Sequence, residues 1–570
     1  MTSGQIEQLE ASLDAPPTAA SEALAAALTS SLLGVPADAS HAEREDAAHG
    51  LMLLSQHYYR QGELAQANLM LANAHALTDG LSDATRVGVL LRRGEFELLV
   101  SDIGAALDHT AEAMEIARVA GRRVDEARAW TNYGMALQAA GLAQQADERL
   151  AHALDLIHDL DEPRLAGNIW ALRSQLGWHL EDAGFQQAVH ACQQALKYAK
   201  ASPARFRDAM VCTAYCNSAA LEILRGDLDA AKTHLANAAA LANLGRRPRW
   251  LIETLEAMSA IRAKNGAPER AALNALLAPD QAPAQVYVIE TYSVMAAMFT
   301  AMGDGDHAHE ALVQLSAERA RALWATLSDP AALDTRPVAE HAVASKDHVP
   351  TMGLLERLAV TAELRDDATG KHCFRVGRLS MLLARRVGLP EADVNSMDLA
   401  ARLHDIGKFA IPDAILLKPT RLDAAETQLM RTHTTIGADL LAQGNDGNLQ
   451  MAEVIARHHH EFWDGSGYPF GLAGKAIPVN ARITALADVY DALTHVRPYK
   501  AAWLHAEAMA YIRSMRGIQF DPQLTDFFME MMAEAERDLA SFLVSLEAGA
   551  LTSPFIVAES RMANALAAET

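Results

Sequence analysis

The chain is poor in the features that stabilise secreted proteins or anchor proteins in membranes. Four cysteines in 570 residues are too few for a disulfide framework, which favours a reducing cytoplasm. No apolar run approaches the roughly 20 residues that a membrane-spanning helix needs. The N-terminus lacks the basic and then apolar order of a secretory signal peptide. We therefore expect a cytoplasmic protein without a membrane span.

Basic residues, glycine and proline are also scarce. The chain has 49 Lys and Arg against 72 Asp and Glu, a formal net charge of −23. This balance argues against binding to a nucleic-acid polymer or an anionic membrane. With only 33 Gly and 20 Pro in a half-hydrophobic sequence, the composition predicts an all-α protein. Its length predicts more than one domain, since single cores rarely exceed roughly 250–300 residues.

Gly-containing turn signals recur along the first half of the chain. They centre on positions 62, 102, 141, 184, 226, 266 and 303. Each precedes an amphipathic stretch with regularly spaced Ala, such as the one from Gly184 to Ala188. A period near 40 with two helices per unit predicts a helical solenoid. The units resemble tetratricopeptide repeats, although they are longer than the usual 34 residues.

A solenoid of this kind predicts a protein or peptide partner on its concave face, or a homodimer. A purely structural spacer is the alternative. The aromatic residues at helical spacing favour the core over a ligand box: Trp130, Tyr133, Trp170, Trp178 and Tyr215. Cys212 and Cys216 have the spacing of a metal clip, but two small core residues on one helical face explain them better.

Composition divides the chain into five segments. We predict a leader and first helix at 1–46, helical repeats at 47–327, a linker at 328–350, a second helical domain at 351–525, and a C-terminal helix and tail at 526–570. The linker prediction rests on three prolines among mixed charges. Within the second domain we predict helices at 353–366, 370–388, 391–404, 423–442, 449–460, 480–496 and 504–515.

Histidines and carboxylates cluster in the last third of the sequence. The pair His404-Asp405 is followed by His433, by His459-His460 and by Asp488. Four imidazoles and two carboxylates suit two transition-metal ions better than one. Neighbouring residues at a helix end project about 100° apart, so Asp405 could bridge two metals while His404 holds one.

The motifs around these residues resemble those of the HD-GYP family of HD-domain metallohydrolases. They are Thr369-Gly370-Lys371-His372, His404-Asp405-Ile406-Gly407-Lys408, His433 with Gly437, His459-His460-Glu461, Gly467-Tyr468-Pro469, Asp488, and Arg497-Pro498-Tyr499-Lys500. The resemblance covers about 355–525. It implies a bacterial signalling enzyme, a metal-dependent phosphodiesterase that hydrolyses cyclic di-GMP to pGpG and on to GMP. In this chain the N-terminal repeats would regulate it.

The resemblance also implies roles for individual residues. The expected metal ligands are His404, Asp405, His433, His459, His460 and Asp488, with His372 as a weaker candidate. Two divalent ions, iron or manganese, are expected because mixed His and carboxylate ligands without Cys suit them. Lys408 and Asp405 are the catalytic candidates. Substrate contacts are expected from Lys408, Gly467, Tyr468, Arg497 and Lys500, and Glu461 and Asp464 are expected to tie down the Gly-rich loop.

One position departs from the family pattern. Members with three metals carry an acidic residue four positions before the His of the Thr-Gly-x-His motif, and here that residue is Ala368. We therefore predict a dinuclear site. Two alternatives to cyclic di-GMP hydrolysis stay open: a catalytically silent receptor or scaffold for a cyclic dinucleotide, and a phosphodiesterase for another cyclic dinucleotide such as cyclic GMP-AMP.

Overall fold

The structure is a computed structural model. It describes residues 3–13, 18–61, 63–99, 103–139, 143–176, 182–241, 246–264, 266–278, 285–328, 360, 363, 370–418, 420–442, 447–495, 502–550 and 556. The chain divides into two compact units. One comprises Met1–Ser101, Ala105–Glu318 and Ala325–Asp347, and the other comprises Asp102–Gly104, Arg319–Trp324 and His348–Thr570.

The N-terminal part of the chain is a succession of α-helices. Their bounds are α1 Ser3–Ser12, α2 Ala19–Leu32, α3 His41–Gln61, α4 Leu64–Ala76, α5 Asp83–Leu99, α6 Ile103–Val119, α7 Arg123–Ala139, α8 Ala143–Ile157, α9 Pro163–Leu176, α10 Asp182–Ala201, α11 Ala204–Arg225, α12 Leu228–Ala239, α13 Arg246–Lys264, α14 Ala267–Leu276, α15 Gln285–Ala301 and α16 Gly305–Ser328.

Consecutive helices from α3 onward form the predicted repeating pairs. The first helices of the pairs begin at residues 41, 83, 123, 163, 204, 246 and 285. These starts lie about 40 residues apart, which confirms the repeat period. Gly226 and Gly303 end their helices in the left-handed conformation, with φ of 90° and 72°. The turn predicted at Gly184 is wrong, because α10 has already begun at Asp182 and its first turn tolerates glycine.

The interpretation of the repeat aromatics and cysteines as core residues is confirmed where the structure describes them closely. Trp130 is fully buried and Tyr133 is nearly so. Cys212 and Cys216 are also buried and reduced. Trp170 and Tyr215 are partly buried. Trp178 lies outside the described residues.

The C-terminal part is also helical. Its helices are α17 His372–Val387, α18 Glu391–Arg402, α19 Asp413–Leu416, α20 Ala424–Arg431, α21 His433–Leu441, α22 Gly447–His458, α23 Val479–Thr494, α24 His505–Ser514, α25 Pro522–Ala535 and α26 Leu539–Leu546. Among the described residues of this part, 3-10 helices lie at Ile406–Ala410, Gly474–Ala476 and Glu536–Asp538. The all-α prediction is confirmed: the described part of the chain holds isolated bridges but no strand.

Most predicted helices of this part are found within a few residues of their expected bounds, but two differ and two further helices were not predicted. The expected helix 423–442 is two helices that meet at Thr432, which places His433 at the start of α21. The helix α19 and the terminal helix α26 were not predicted. The expected helix 353–366 lies mostly outside the described residues, where only Val360 and Glu363 are given a helical conformation.

Within the described ranges, no helix combines the length and the apolar character needed to span a bilayer.

Candidate metal centre

The His404-Asp405 pair lies in a tight turn after α18, which ends at Arg402. A 3-10 helix begins directly after the pair, at Ile406. His404 and Asp405 are buried, and the Lys408 ammonium lies 2.8 Å from Asp405 Oδ2. Lys408 follows Asp405 by three residues, and because a 3-10 helix has three residues per turn, its ammonium lies on the side of Asp405.

Two glycines bring this turn against the start of α21. A Cβ on Gly407 would overlap the carbonyl oxygen of His433 and lie 2.6 Å from the amide nitrogen of Gly437. A Cβ on Gly437 would lie 3.0 Å from the amide nitrogen of Gly407. The two backbones can therefore touch only because both residues lack a side chain. This contact brings His433 Nε2 to 3.2 Å from Asp405 Oδ1.

Four residues define what we call the first half-site: Asp405, His433, His459 and His460. One ligand atom from each lies within 4.8 Å of the others. His433 comes from the first turn of α21, and His459 and His460 follow directly after α22. His459 Nε2 is 3.6 Å from Asp405 Oδ1, so two imidazoles face the same carboxylate oxygen.

Four residues define the second half-site: Glu363, His372, His404 and Asp405. Their ligand atoms also lie within 4.8 Å of one another, and all four side chains are buried. Asp405 belongs to both half-sites. Its Oδ1 faces the first, and its Oδ2 lies 3.1 Å from His404 Nε2 in the second. This is the arrangement predicted for a carboxylate that bridges two metal ions.

Asp488, on α23, lies at the edge of the second half-site. Its Oδ1 is 3.4 Å from His372 Nε2 and 3.9 Å from His404 Nε2. The structure thus brings together every expected ligand that it describes. It also brings in His372, which the sequence offered only as a weaker candidate.

Hydrogen bonds that Nδ1 donates to backbone carbonyls fix the orientation of the buried imidazoles. In three of them Nδ1 lies within 3.0 Å of a backbone carbonyl oxygen: His404 with Ala401, His433 with Met430, and His459 with Ala456. A carbonyl can only accept, so Nδ1 carries the proton and Nε2 has its lone pair free. This is how metal-binding histidines are usually oriented.

Several atoms that face the centre are buried without a hydrogen bond to any residue that the structure describes. They are Nε2 of His404, His433 and His459, Oδ1 of Asp405, and Oε1 of Glu363. Buried polar atoms are nearly always satisfied, and their convergence here calls for a ligand. Imidazole nitrogens with carboxylate oxygens and no thiolate fit transition-metal ions.

The two half-sites differ in their electrostatics. Burial holds the pKa of His460 well below its usual range and also lowers the pKa of His459. Burial opposes ionisation of Asp405 too, but Lys408 and His404 hold its pKa well below the usual range. For His372, burial is outweighed by carboxylates, chiefly Glu363, which raise its pKa to about 10. A metal ion in the second half-site therefore has to displace a proton.

Glu363 is the site residue that sequence reasoning missed. The search for an extra carboxylate was confined to the position four residues before His372, which is Ala368. The structure supplies a carboxylate from nine residues before it, with Glu363 Oε1 3.9 Å from His372 Nε2. The sequence could not have predicted this proximity, because the spacing of two residues outside a regular helix does not determine whether their side chains meet.

Glu461 and Asp464, which were predicted to tie down the loop after His460, accept hydrogen bonds from amides of the loop itself. Glu461 accepts hydrogen bonds from the backbone amides of Phe470 and Leu472, at 2.8 and 2.9 Å. Asp464 accepts from the Ser466 amide at 2.9 Å. Gly467 is required for space, because its Cβ would lie 2.6 Å from the carbonyl oxygen of His460. The loop contains a cis peptide between Tyr468 and Pro469.

Tyr468 connects this loop to the centre and to a cation that was not predicted. Its ring stacks on His460, with centroids 4.9 Å apart. The guanidinium of Arg431, at the end of α20, lies 4.7 Å from the centroid of the same ring. Arg431 is exposed and lies two residues before His433. It therefore adds positive charge at the rim of the centre.

Parts of two motifs lie outside the described residues: Ala368 and Thr369, and the run from Arg497 to Lys500. The expected substrate contacts of Arg497 and Lys500 stay predictions.

Comparison with known proteins assigns this part of the chain to a family. Residues 356–524 match the HD domain family, so this segment is an HD domain, as the motifs indicated. Two curated relatives are named as cyclic di-GMP phosphodiesterases. The chain is 45% identical over 188 residues to the response regulator RpfG of Xanthomonas campestris, covering 33% of this chain and 50% of that protein. It is 44% identical over 181 residues to one from Thermotoga maritima, covering 32% and 49%.

A third relative is named as a different enzyme. The 3'3'-cGAMP-specific phosphodiesterase 2 of Vibrio cholerae is 42% identical over 177 residues, covering 31% of this chain and 34% of that protein. The chain thus spans about a third to half of the length of these relatives.

Among solved structures, a Rap protein complexed with Competence and Sporulation Factor has 9% identity and a TM-score of 0.45, covering 56% of this chain and 86% of that one.

The backbone contact at Gly407 generates a first testable prediction. Gly407→Ala should push the turn away from α21, separate Asp405 from His433 and reduce bound metal at the first half-site. Because overlap with backbone atoms cannot be relieved by a side-chain rotation, we expect a loss of stability of about 1–3 kcal/mol. Metal content and thermal unfolding of the purified chain would measure both effects.

The matched control is Gly447→Ala on α22, where an added Cβ meets nothing within 4 Å. Equal metal content and stability in the two variants would contradict the importance of this contact.

Proposed function

We propose that the chain is a metal-dependent phosphodiesterase that hydrolyses cyclic di-GMP to pGpG and on to GMP. The observation that carries the proposal is the shared carboxylate. Asp405 belongs to two groups of converging ligand atoms and has Lys408 beside it. Sites with two adjacent metals are suited to in-line displacement at phosphorus. The two relatives named as cyclic di-GMP phosphodiesterases support the choice of substrate.

Bound metal ions would polarise a phosphoryl oxygen and lower the pKa of a bound water. His433, His459 and His460 would hold one ion, and Glu363, His372 and His404 the other, with Asp405 contacting both. Asp488 would support the second position. We propose iron or manganese because the donors are imidazole and carboxylate without thiolate.

The other residues of the site act on the substrate. Lys408 is 9% exposed, so its ammonium is shielded from water and can stabilise negative charge that develops on phosphate oxygens. Tyr468 and Arg431 present an aromatic face and a cation at the rim, which suits a purine base or the second phosphate. These cations and the metals would make the site locally positive despite the acidic chain.

We further propose that the N-terminal repeats bind a protein or peptide partner and so regulate the HD domain. The repeating helix pairs support this role, because helical solenoids present extended concave surfaces of the kind that bind partners. A homodimer stays a prediction.

A second candidate substrate is cyclic GMP-AMP. It is favoured by the 42% identity to the Vibrio cholerae enzyme named as specific for 3'3'-cGAMP. The metal-binding residues do not distinguish the two substrates, because both contain the same phosphodiester bonds. Discrimination would fall to groups at the rim, such as Arg431 and Tyr468.

Turnover is the direct test of the proposed function. The purified chain, loaded with Mn²⁺ or with Fe²⁺ under reducing conditions, is expected to convert cyclic di-GMP to pGpG and then GMP, measured by separating the products. His404→Ala combined with Asp405→Ala should abolish the reaction, because it removes a ligand and the shared carboxylate.

Cyclic GMP-AMP is assayed in parallel, and faster turnover of it would select the second candidate. Binding of either nucleotide without hydrolysis by the wild-type chain would favour a silent receptor. Turnover that survives the double substitution would refute the site.

Metal analysis tests the dinuclear proposal. We expect two ions per chain, because Glu363 and His372 complete the second half-site. Glu363→Gln should reduce the content to about one ion by weakening the second half-site, and His433→Ala should do so by weakening the first. Elemental analysis of protein purified without chelator measures this, and three ions per chain would contradict it.

Lys408→Met should separate binding from catalysis. It keeps the length of the side chain but removes the charge, so we expect kcat to fall by about 10²–10³, the effect of removing one electrostatic donor from an active site. Metal content and KM should change little. Lys475→Met, at an exposed lysine of the same domain, is the control. An unchanged kcat in Lys408→Met would remove Lys408 from the catalytic group.

A further inference from the structure

The second half-site is connected to a part of the chain that lies beyond the family match. The match ends at residue 524, whereas α26 and the residues that follow it reach 550. We call 539–550 the C-terminal clasp. Leu546 and Ala550 of the clasp are buried, at 2% and 0% exposure, so this segment is packed against the domain.

The connection begins at His372, the first residue of α17. Its Nε2 faces the second half-site, and its Nδ1 lies 2.6 Å from Asp491 Oδ2. Asp491 is on α23, and both its carboxylate oxygens are held by Arg375. Nε of Arg375 lies 2.7 Å from Oδ1, and Nη2 lies 2.9 Å from Oδ2. All three side chains are about 97% buried, so their geometry is strongly restrained.

The clasp holds the other side of this arrangement. Glu547 Oε1 lies 3.4 Å from Nη1 of Arg375, and Glu547 Oε2 lies 2.9 Å from the Lys371 ammonium. Arg375 is thus fixed between Asp491 and Glu547. The carboxylate of Glu547 also lies at the N-terminus of α17, where the helix dipole favours negative charge.

The clasp packs closely against α17 and against Arg402 at the end of α18. A Cβ on Gly549 would lie 3.1 Å from Nη2 of Arg402 and 3.2 Å from the ring of Phe374. Phe374 is buried in the first turn of α17, and the Arg402 guanidinium lies 4.7 Å from its ring. Gly549 thus packs closely against α17 and Arg402, two residues after Glu547.

We propose that the C-terminal clasp positions His372, through Glu547, Arg375 and Asp491, and so sets the metal affinity of the second half-site. Glu547 is a positioning residue here, since it touches neither the metal-binding atoms nor the substrate. The proposal rests on the proposed function only in taking the two half-sites as metal-binding. It gives a segment outside the matched domain control over one of the two ions.

The test measures Mn²⁺ affinity of each half-site alone in the full-length chain, without nucleotide. His433→Ala leaves the second half-site, and Glu363→Gln leaves the first. In the His433→Ala background, Asp491→Asn should weaken Mn²⁺ binding by roughly 10- to 100-fold, the usual cost of losing a partner of a metal ligand. Glu547→Gln acts one contact further away, so we expect about 3- to 10-fold. In the Glu363→Gln background, Glu547→Gln should change affinity less than about twofold.

Glu534→Gln is the matched control. Glu534 pairs with Arg386 at the other end of α17, at 2.8 Å, and belongs to the same domain. Glu547→Asp is the second variant, because it keeps the charge and shortens the reach. If Glu547 positions His372, Glu547→Asp should weaken Mn²⁺ binding at the second half-site. If Glu547 acts only through its charge, Glu547→Asp should leave Mn²⁺ binding unchanged.

Three results would overturn the proposal: equal effects of Glu547→Gln in both backgrounds, no difference from Glu534→Gln, or wild-type affinity in Glu547→Asp. The outcome is independent of substrate. A wild-type chain that binds Mn²⁺ but leaves cyclic di-GMP intact would refute the proposed function and leave this inference standing. Turnover with an unaffected Glu547→Gln would do the reverse.

Discussion

The metal centre depends on one buried carboxylate with imidazoles on both sides. Asp405 cannot stay ionised inside the domain without compensating charge, since desolvation of an unpaired carboxylate is costly. Lys408 supplies one positive charge, and metal ions held in the two half-sites would supply the remaining positive charge. The glycines at 407 and 437 matter because they allow the backbones to approach closely enough for His433 to face the same carboxylate.

Much of this centre could be predicted from the sequence because its ligands occur in short motifs at constrained spacing. The His404-Asp405 pair is weak evidence alone, and the partners that follow at fixed distances give it weight. His433 is likewise predicted only through the motifs on either side of it. What these residues share is a local backbone geometry that the neighbouring glycines, prolines and charges largely determine.

The residues that the sequence did not predict are brought to the site by the fold and do not belong to its short motifs. Glu363 approaches His372 by a chain path that its sequence spacing does not specify. Asp491 contacts the same histidine from 119 positions further along the chain, and Glu547 is linked to it only through Arg375 and Lys371. The 3-10 helix that holds Lys408 was not predicted either, because sequence periodicity does not distinguish a short 3-10 turn from an α-helical one. The repeats were easier, since a period of about 40 residues survives the loss of individual turn signals such as Gly184.

The hydrogen bonds of Glu461 have a consequence for how a ligand would meet the site. Because one carboxylate holds two amides of the loop that presents Tyr468, the loop is ordered before any ligand arrives. The entropy lost in ordering it is then incurred during folding and does not reduce the affinity for a bound molecule. A ligand would therefore meet a rim whose shape the fold has already set.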